Sequence, residues 1–232
     1  MAGELKLLGT WVSPFVTRAK LALHIKGLSY ENVEEDLGNK SELLVSSNPV
    51  YKSVPVLIHS GNPICESSVI VQYINDAFAG VGPSFLPADP YERAVTRFWA
   101  VYVEDKVVNQ WARVFRVKTD EERAEVMHQT LEAVEVLEGG LKECSGGKGA
   151  FFGGDSIGYI DILLGGLVSW VKATESLSGI KLIDTTKTPL LAAWMEHFCE
   201  LHVAKTILQD VNAVVEYAKA LQARMADAAV NN

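Results

Sequence analysis

An α/β domain followed by an all-helical domain is the architecture this 232-residue sequence predicts, on three observations. Residues 1–79 alternate between short apolar runs of strand length and segments with apolar residues at helical spacing. Residues 80–89, with Gly80, Gly82, Pro83 and Pro87 and followed by Pro90, break regular structure and read as an interdomain linker. From 90 to 232 only helical periodicity remains. Hydrophobic residues make up 48% of the chain, enough for a real core and against disorder. A formal charge of −8 without a basic cluster speaks against nucleic-acid binding. No apolar run approaches the ~20 residues of a membrane span, and the N-terminal sequence lacks the pattern of a secretory signal. Cys65, Cys144 and Cys199 stand too far apart for a zinc pattern or a disulfide framework, which fits a reducing, cytoplasmic setting and no metal.

Element by element, Glu4–Leu8 reads as a buried strand. Ser13-Pro14 then supplies an N-cap and a first helical residue that needs no amide donor. The helix runs from Phe15 to Lys26, with Phe15, Ala19, Ala22 and Leu23 on one face, and stops at Gly27. A hydroxyl therefore stands at the positive end of a helix, just past the C-terminal end of a strand, where an anion such as a thiolate is stabilised. Ser29–Val33 reads as a second strand and Ser41–Ser47 as a short helix closed before Asn48-Pro49. Val54–His59 is a third strand, Ser60–Pro63 a turn, and Ile64-Cys65 its antiparallel partner. A helix from Ser67 shows the stripe Val69, Ile70, Tyr73, Ile74, Ala77 and Phe78. The order β-α-β-α-β-β-α is that of a thioredoxin-like domain. Pro55 conflicts with a strand interior, and a cis Val54-Pro55 bond at the strand's start would resolve the conflict; an ordinary trans proline at a sheet edge is the alternative.

In the second domain a long aromatic-rich helix runs from Pro90 to about Val117, and Thr119-Asp120-Glu121-Glu122 is a capping box. Residues 144–154 are glycine-rich and looped. Asp161 is placed to cap a helix running to about Ala173, and Thr188-Pro189 repeats the N-cap and first-position pattern. A last amphipathic helix covers Val211 to about Met225, ahead of a tail expected to fray.

Several stretches together carry a resemblance. They are Ser13-Pro14-Phe15, Glu35-Asp36-Leu37-Gly38-Asn39-Lys40-Ser41, Asn48-Pro49-Val50, Val54-Pro55-Val56-Leu57-Ile58-His59, Glu66-Ser67, Ile70-Val71-Gln72-Tyr73-Ile74 and Phe152-Gly153-Gly154-Asp155. In this order and spacing the chain resembles a glutathione transferase over essentially its whole length, specifically the plant tau class and its cereal members. The resemblance implies that Ser13 is the catalytic serine, donating to glutathione's thiolate without forming a covalent intermediate. It implies that the Val54 backbone, before a cis proline, pairs with the tripeptide's cysteinyl main chain. Glu66 and Ser67 match the pair that holds the γ-glutamyl end, and Lys40 matches a lysine at the glycine carboxylate. Many tau members carry a further lysine where Ser53 stands here. Lys52 is adjacent, but side chains alternate along an extended segment, so it need not compensate. Tyr51 stands where histidine is common.

The resemblance further implies a hydrophobic second-substrate surface between the domains, drawing on Trp11, Phe15, Trp111, Phe115, Trp170 and the Ile207-Leu208 region. It implies a homodimer, and reduced glutathione as co-substrate with no other cofactor. Arg93 and Arg97, one helical turn apart, are placed to face Asp76 of a second subunit, with an intrachain or solvated pair as the alternative. The expected activity is conjugation of glutathione to hydrophobic electrophiles, with reduction of organic hydroperoxides as a side reaction. A carrier of apolar metabolites or glutathione adducts on the same fold stays open beside it. A thiol-disulfide or dehydroascorbate reductase would require cysteine at position 13.

Overall fold

Four strands form one mixed sheet in the order β2-β1-β3-β4: β1 (Leu5–Gly9), β2 (Glu31–Glu34), β3 (Val56–His59) and β4 (Asn62–Cys65). The computed structural model describes residues 3–115, 117, 119–147 and 149–230, the last six of these by backbone alone. Strand β1 pairs parallel with β2 and antiparallel with β3, with Leu8 opposite both Val33 and Val56. Its apolar run is nearly continuous because both faces are buried. Leu5 and Leu7 belong to the main core, while Leu8 packs with Val56 and with Leu44 of the short helix α2 (Glu42–Ser47) on the other face.

All four strands shift against expectation, β1 running to Gly9 instead of ending at Leu8 and β3 starting at Val56 instead of Val54. Strand β2 starts at Glu31, later than Ser29. The β3–β4 turn is only Ser60-Gly61, with φ of 50° and 81°; Asn62 and Pro63 lie in β4. Two consecutive left-handed residues match the right-handed twist of a hairpin, and proline is tolerated because β4 is an edge strand. Helices α1 (Pro14–Ile25) and α3 (Ser67–Ala77) pack against each other beside the sheet. Along α3 the buried residues include Ile70, Val71 and Ile74, while Val69, expected in the apolar stripe, is exposed.

The helical domain begins with α4 (Pro90–Tyr102), capped by Asp89, whose carboxylate accepts the Tyr91 and Glu92 amides. It continues as a π-helical segment, Val103–Val108, then α5 (Asn109–Ala112) and a 3₁₀ turn, Arg113–Phe115. Helix α6 (Asp120–Cys144) starts with the expected capping box between Thr119 and Glu122. The expected helix to Ala173 is two helices, α7 (Tyr159–Gly165) and α8 (Val168–Ser178). The break falls at Gly166, where a Cβ would lie 2.6 Å from both the Pro14 carbonyl oxygen and Arg18 Cγ. Close approach of α1 therefore requires glycine at this position. Helices α9 (Pro189–Glu200), α10 (His202–Ile207) and α11 (Val211–Val230) complete the domain; α11 continues beyond the expected end at Met225. Residues 231 and 232 of the tail lie outside the described residues.

Thr188 does not cap α9 as expected, since its hydroxyl is bonded to the Asp184 backbone; the Glu138 carboxylate accepts the Leu190 and Leu191 amides instead. Asp161 does cap its helix, and does more. Wholly buried, its carboxylate accepts the amides of Gly158 (2.7 Å), Phe152 (2.9 Å) and Gly153 (3.0 Å) and the Trp194 indole N–H (2.8 Å). It thereby ties the 152–158 loop, α7 and α9 together.

Burial pushes the Asp161 carboxyl up from 3.8 to about 6, against those four donors, which pull it down. A folded-state value above the unfolded one means that the native state holds the proton more tightly. That contribution is full below about pH 4 and is lost as the pH rises through about 6. Asp161→Asn removes the titration. From pH 7 down to pH 4 the stability difference between wild type and variant should move about 2–3 kcal/mol in favour of wild type, at about 1.4 kcal/mol per unit. Urea unfolding across that range measures it, and a flat difference would contradict the raised value.

Candidate active site

The sheet register collects the expected site residues at one end. Gly9 at the C-terminal end of β1, Glu34 at the end of β2, Val56 at the start of β3 and Cys65 at the end of β4 all lie at the same edge of the ladder. Ser13, Lys40, Val54, Glu66 and Ser67 sit on the segments that leave or enter those four ends. An edge where several strands release their loops is the usual location for a ligand site on an open sheet.

Ser13 is the N-cap of α1, with extended φ and ψ of −71° and 120°. Its Oγ accepts the Val16 amide at 3.3 Å, and its own amide donates to the Thr10 carbonyl at 3.1 Å. Because Oγ accepts from the backbone, its proton remains available to donate outward. The helix N-terminus behind it adds a fixed positive potential.

Ser67 is the first residue of α3 and is 6% exposed. Glu66 before it is exposed and holds a left-handed φ of 68°, a conformation costing on the order of 1–3 kcal/mol for a residue with a Cβ. The Val54-Pro55 bond is cis, and Val54 stands just ahead of the β3 ladder. Lys40 is exposed on a loop fixed by Glu35, whose carboxylate accepts the Ser41 hydroxyl (2.7 Å) and amide (3.3 Å). Ser53 is exposed and held by Asn48, which donates to its carbonyl at 3.0 Å. Alternation does not run through Lys52, whose φ is 52°, so that reason for discounting its charge does not hold.

Sequence reading missed Arg18. This wholly buried side chain leaves α1 and donates through Nε to the Leu163 carbonyl (2.8 Å) and through a terminal nitrogen to Ser67 Oγ (3.2 Å). That terminal nitrogen also lies 2.7 Å from Glu104 Oε1, as a charge contact outside hydrogen-bond alignment. Burial lowers its proton affinity, and Glu104 opposes the shift. Glu104 sits in the π-helical segment, a wide turn of a kind frequent at functional sites. No local signal in the sequence marks a contact that joins residues 18, 67, 104 and 163.

Aromatic rings form a row of edge-to-face contacts. Trp111 meets Phe115 (5.6 Å), Phe115 meets Trp170 (5.6 Å), Trp170 meets Tyr217 (6.3 Å), and Tyr217 meets Trp11 (6.0 Å). Trp11 is 45% exposed at one end, while Trp111 at the other is buried and also borders a cavity of about 50 Å³ in the helical domain, lined by apolar side chains and Thr130. Tyr217 joins the residues expected from sequence; Phe15, Ile207 and Leu208 are half-buried against the same core. Arg93 and Arg97, expected to face a second subunit, donate within the chain to the Pro87 carbonyl (2.9 Å) and to Gln72 (3.1 Å). Among the described residues no group of His, Cys, Asp or Glu is arranged to hold a metal, and no helix is long and apolar enough to cross a membrane.

Comparison with known proteins places this geometry. The profile of the glutathione S-transferase N-terminal domain matches residues 3–76, and that of the C-terminal domain matches residues 91–202. A probable glutathione S-transferase, GSTU6, of Oryza sativa subsp. japonica is 52% identical over 225 residues, 95% of each chain. Glutathione S-transferase U18 of Arabidopsis thaliana is 44% identical, covering 94% of this chain and 96% of its own. Among solved structures, the tau-class enzyme from mango superposes with a TM-score of 0.88 at 42% identity, covering 94% of this chain and 98% of its own. Rice GST1 in complex with glutathione superposes at 0.86 and 36% identity, covering 97% and 98%. The chain belongs to the glutathione S-transferase family and is a glutathione transferase enzyme. Within the family it groups with the plant tau class.

The buried guanidinium sets an expectation for stability. Arg18→Met keeps much of the volume but leaves the Leu163 carbonyl unpaired, and should cost about 3–5 kcal/mol. Glu104→Gln should cost less, because Glu104 is partly solvated. The double variant should lose less than the sum, as contacting groups do. Guanidinium chloride unfolding of the three variants measures the coupling, and strict additivity would show that the pair is energetically independent.

Proposed function

We propose that the protein conjugates glutathione to hydrophobic electrophiles, with Ser13 as the hydrogen-bond donor that stabilises the thiolate. The observation that carries this reading is the Ser13 hydroxyl at the first turn of α1, accepting the Val16 amide and so keeping its proton for a ligand. Glutathione's thiol, with an unperturbed pKa near about 8.5, holds little thiolate at neutral pH; each unit of lowering is worth about 1.4 kcal/mol. Val54 would pair with the cysteinyl backbone through its amide and carbonyl. Ser67 and the α3 N-terminus would receive the γ-glutamyl carboxylate, Glu66 its ammonium, and Lys40 the glycine carboxylate. The aromatic row from Trp11 inward gives an apolar electrophile a surface beside the sulfur, and catalysis then combines thiolate stabilisation with proximity. The same thiolate would reduce organic hydroperoxides. Glutathione is a co-substrate here, and the named residues need no metal or other cofactor. The setting proposed is the cytoplasm.

The row of rings also favours a second role, carriage of flat apolar ligands without turnover, on the same surface. Kinetics separate the two. Ser13→Ala should lower turnover with a chloronitrobenzene about 10²-fold, as loss of one preorganised donor does, with a much smaller change in glutathione affinity. The thiolate absorbance of bound glutathione should titrate at higher pH in the variant. Wild-type turnover in Ser13→Ala would remove Ser13 from the chemistry.

A homodimer is proposed through α3 and α4. Val69, Phe98 and Val101 are exposed there, and the two helices are joined by the Arg97–Gln72 bond. Phe98→Glu should shift the species seen in sedimentation from dimer to monomer. A wild type that sediments as a monomer would exclude the assembly.

A further inference from the structure

The turn that carries Ser13 is held from both domains. Of its carbonyl acceptors, Thr10 O takes the Ser13 amide and Ser13 O takes both the amide and the hydroxyl of Thr17, each at 3.1 Å. The other two reach into the helical domain. Val12 O accepts the Trp170 indole N–H at 2.7 Å, and Trp11 O accepts the Gln209 side-chain amide at 3.1 Å. The same Gln209 nitrogen donates to Thr17 Oγ1 at 2.7 Å, so a chain of donors runs from Gln209 through Thr17 to Ser13 O. The Gln209 carbonyl is fixed in turn by the Ser169 hydroxyl at 2.9 Å, next to Trp170 in sequence.

The Val12 carbonyl and the Ser13 amide belong to one peptide unit. That unit is pinned at both ends, by Trp170 on the oxygen and by the Thr10 carbonyl on the N–H. The following unit is pinned at its oxygen by Thr17. With both flanking planes fixed, Ser13 Oγ keeps only its side-chain torsion, and the Val16 contact sets that. Trp170 is 7% exposed, so water cannot readily replace its bond if it is lost.

We propose that Trp170 and Gln209 are positioning residues for the reaction: through the Val12 and Trp11 carbonyls they aim the Ser13 hydroxyl at the sulfur. The role belongs to the helical domain, 158 and 198 residues away in sequence from the carbonyls it holds. Trp170 also meets Phe115 and Tyr217 edge-on, so the side chain that holds the Val12 carbonyl is itself seated in the aromatic row. The inference rests on the reading of Ser13 as thiolate donor.

The test is an ultraviolet titration of glutathione thiolate in the binary complex, with no electrophile present, so that changes in the aromatic surface do not enter. Wild type, Ser13→Ala, Trp170→Phe, Gln209→Leu and Ser13→Ala/Trp170→Phe are compared. Trp170→Phe keeps a ring and removes the N–H. Its titration midpoint should rise by about half a unit, and turnover should fall about three- to ten-fold, short of the ~10²-fold that a misplacement of about 1 Å can cost. Glutathione affinity should stay within about two-fold. In the Ser13→Ala background the Trp170 change should add no further shift, because the donor it aims is gone. A merely structural tryptophan would lower the melting temperature and leave the midpoint where it was. Gln209→Leu, at a half-buried site, carries the same expectation if Trp170→Phe does not fold. A raised midpoint in Ser13→Ala beside an unchanged one in the folded Trp170 and Gln209 variants overturns the inference alone. An unchanged midpoint in Ser13→Ala overturns the reading of Ser13, and the inference with it.

Discussion

A guanidinium with no exposure to solvent sits where the two domains meet, and much of the site's geometry follows from what that charge requires. Arg18 must find partners inside the protein, because a charge taken out of water without them costs several kcal/mol. Its partners come from four places: Ser67 at the start of α3, Glu104 in the π-helical segment, the Leu163 carbonyl in α7, and the Phe15 ring, 5.1 Å from the guanidinium carbon. Pairing Nε and one terminal nitrogen of this side chain therefore ties the helix that carries Ser13 to the helix that begins at Ser67, and both to the second domain; the other terminal nitrogen has no hydrogen-bond partner among the described residues. Gly166 belongs to the same contact, since only a residue without Cβ lets the 165–168 turn approach Pro14 and Arg18 so closely.

Asp161 has a parallel role within the helical domain. One carboxylate accepts four donors, which come from a loop, a helix start and a distant indole. Both buried groups engage α7, Asp161 from within it and Arg18 through its Leu163 carbonyl, and α7 packs against α1, α3 and α4. The first domain can thus be small because the second supplies part of its packing and, through Arg18, part of its polar satisfaction.

What the sequence showed and what it hid divide by range. Ser13-Pro14 was legible because a cap and its helix are neighbours, and Thr119 with Glu122 for the same reason. The succession of strands and helices in the first domain followed from periodicity and from glycine and proline. The cis bond at Pro55, and the roles given to Lys40, Val54, Glu66 and Ser67, came from family resemblance, because each residue alone is an ordinary surface or helix-start residue. Arg18 was invisible, since arginine on a helix is normally solvated and its partners lie up to 145 residues away. The capping role expected of Thr188 failed because Asp184 had already taken the hydroxyl, and Glu138, far off in sequence, did the work. The need for glycine at 166 was hidden for the same reason: another helix, distant in sequence, sets it.

Cys144 has a consequence for how such an enzyme survives its own chemistry. Burial and the nearby Glu143 and Asp161 charges push its thiol up to about 12, and burial with Glu66 also raises Cys65. At neutral pH these sulfurs stay protonated and are poor nucleophiles. A reactive electrophile that reaches these two positions meets protonated thiols in place of thiolates. Burial thus holds two of the protein's own sulfurs in the form least open to alkylation.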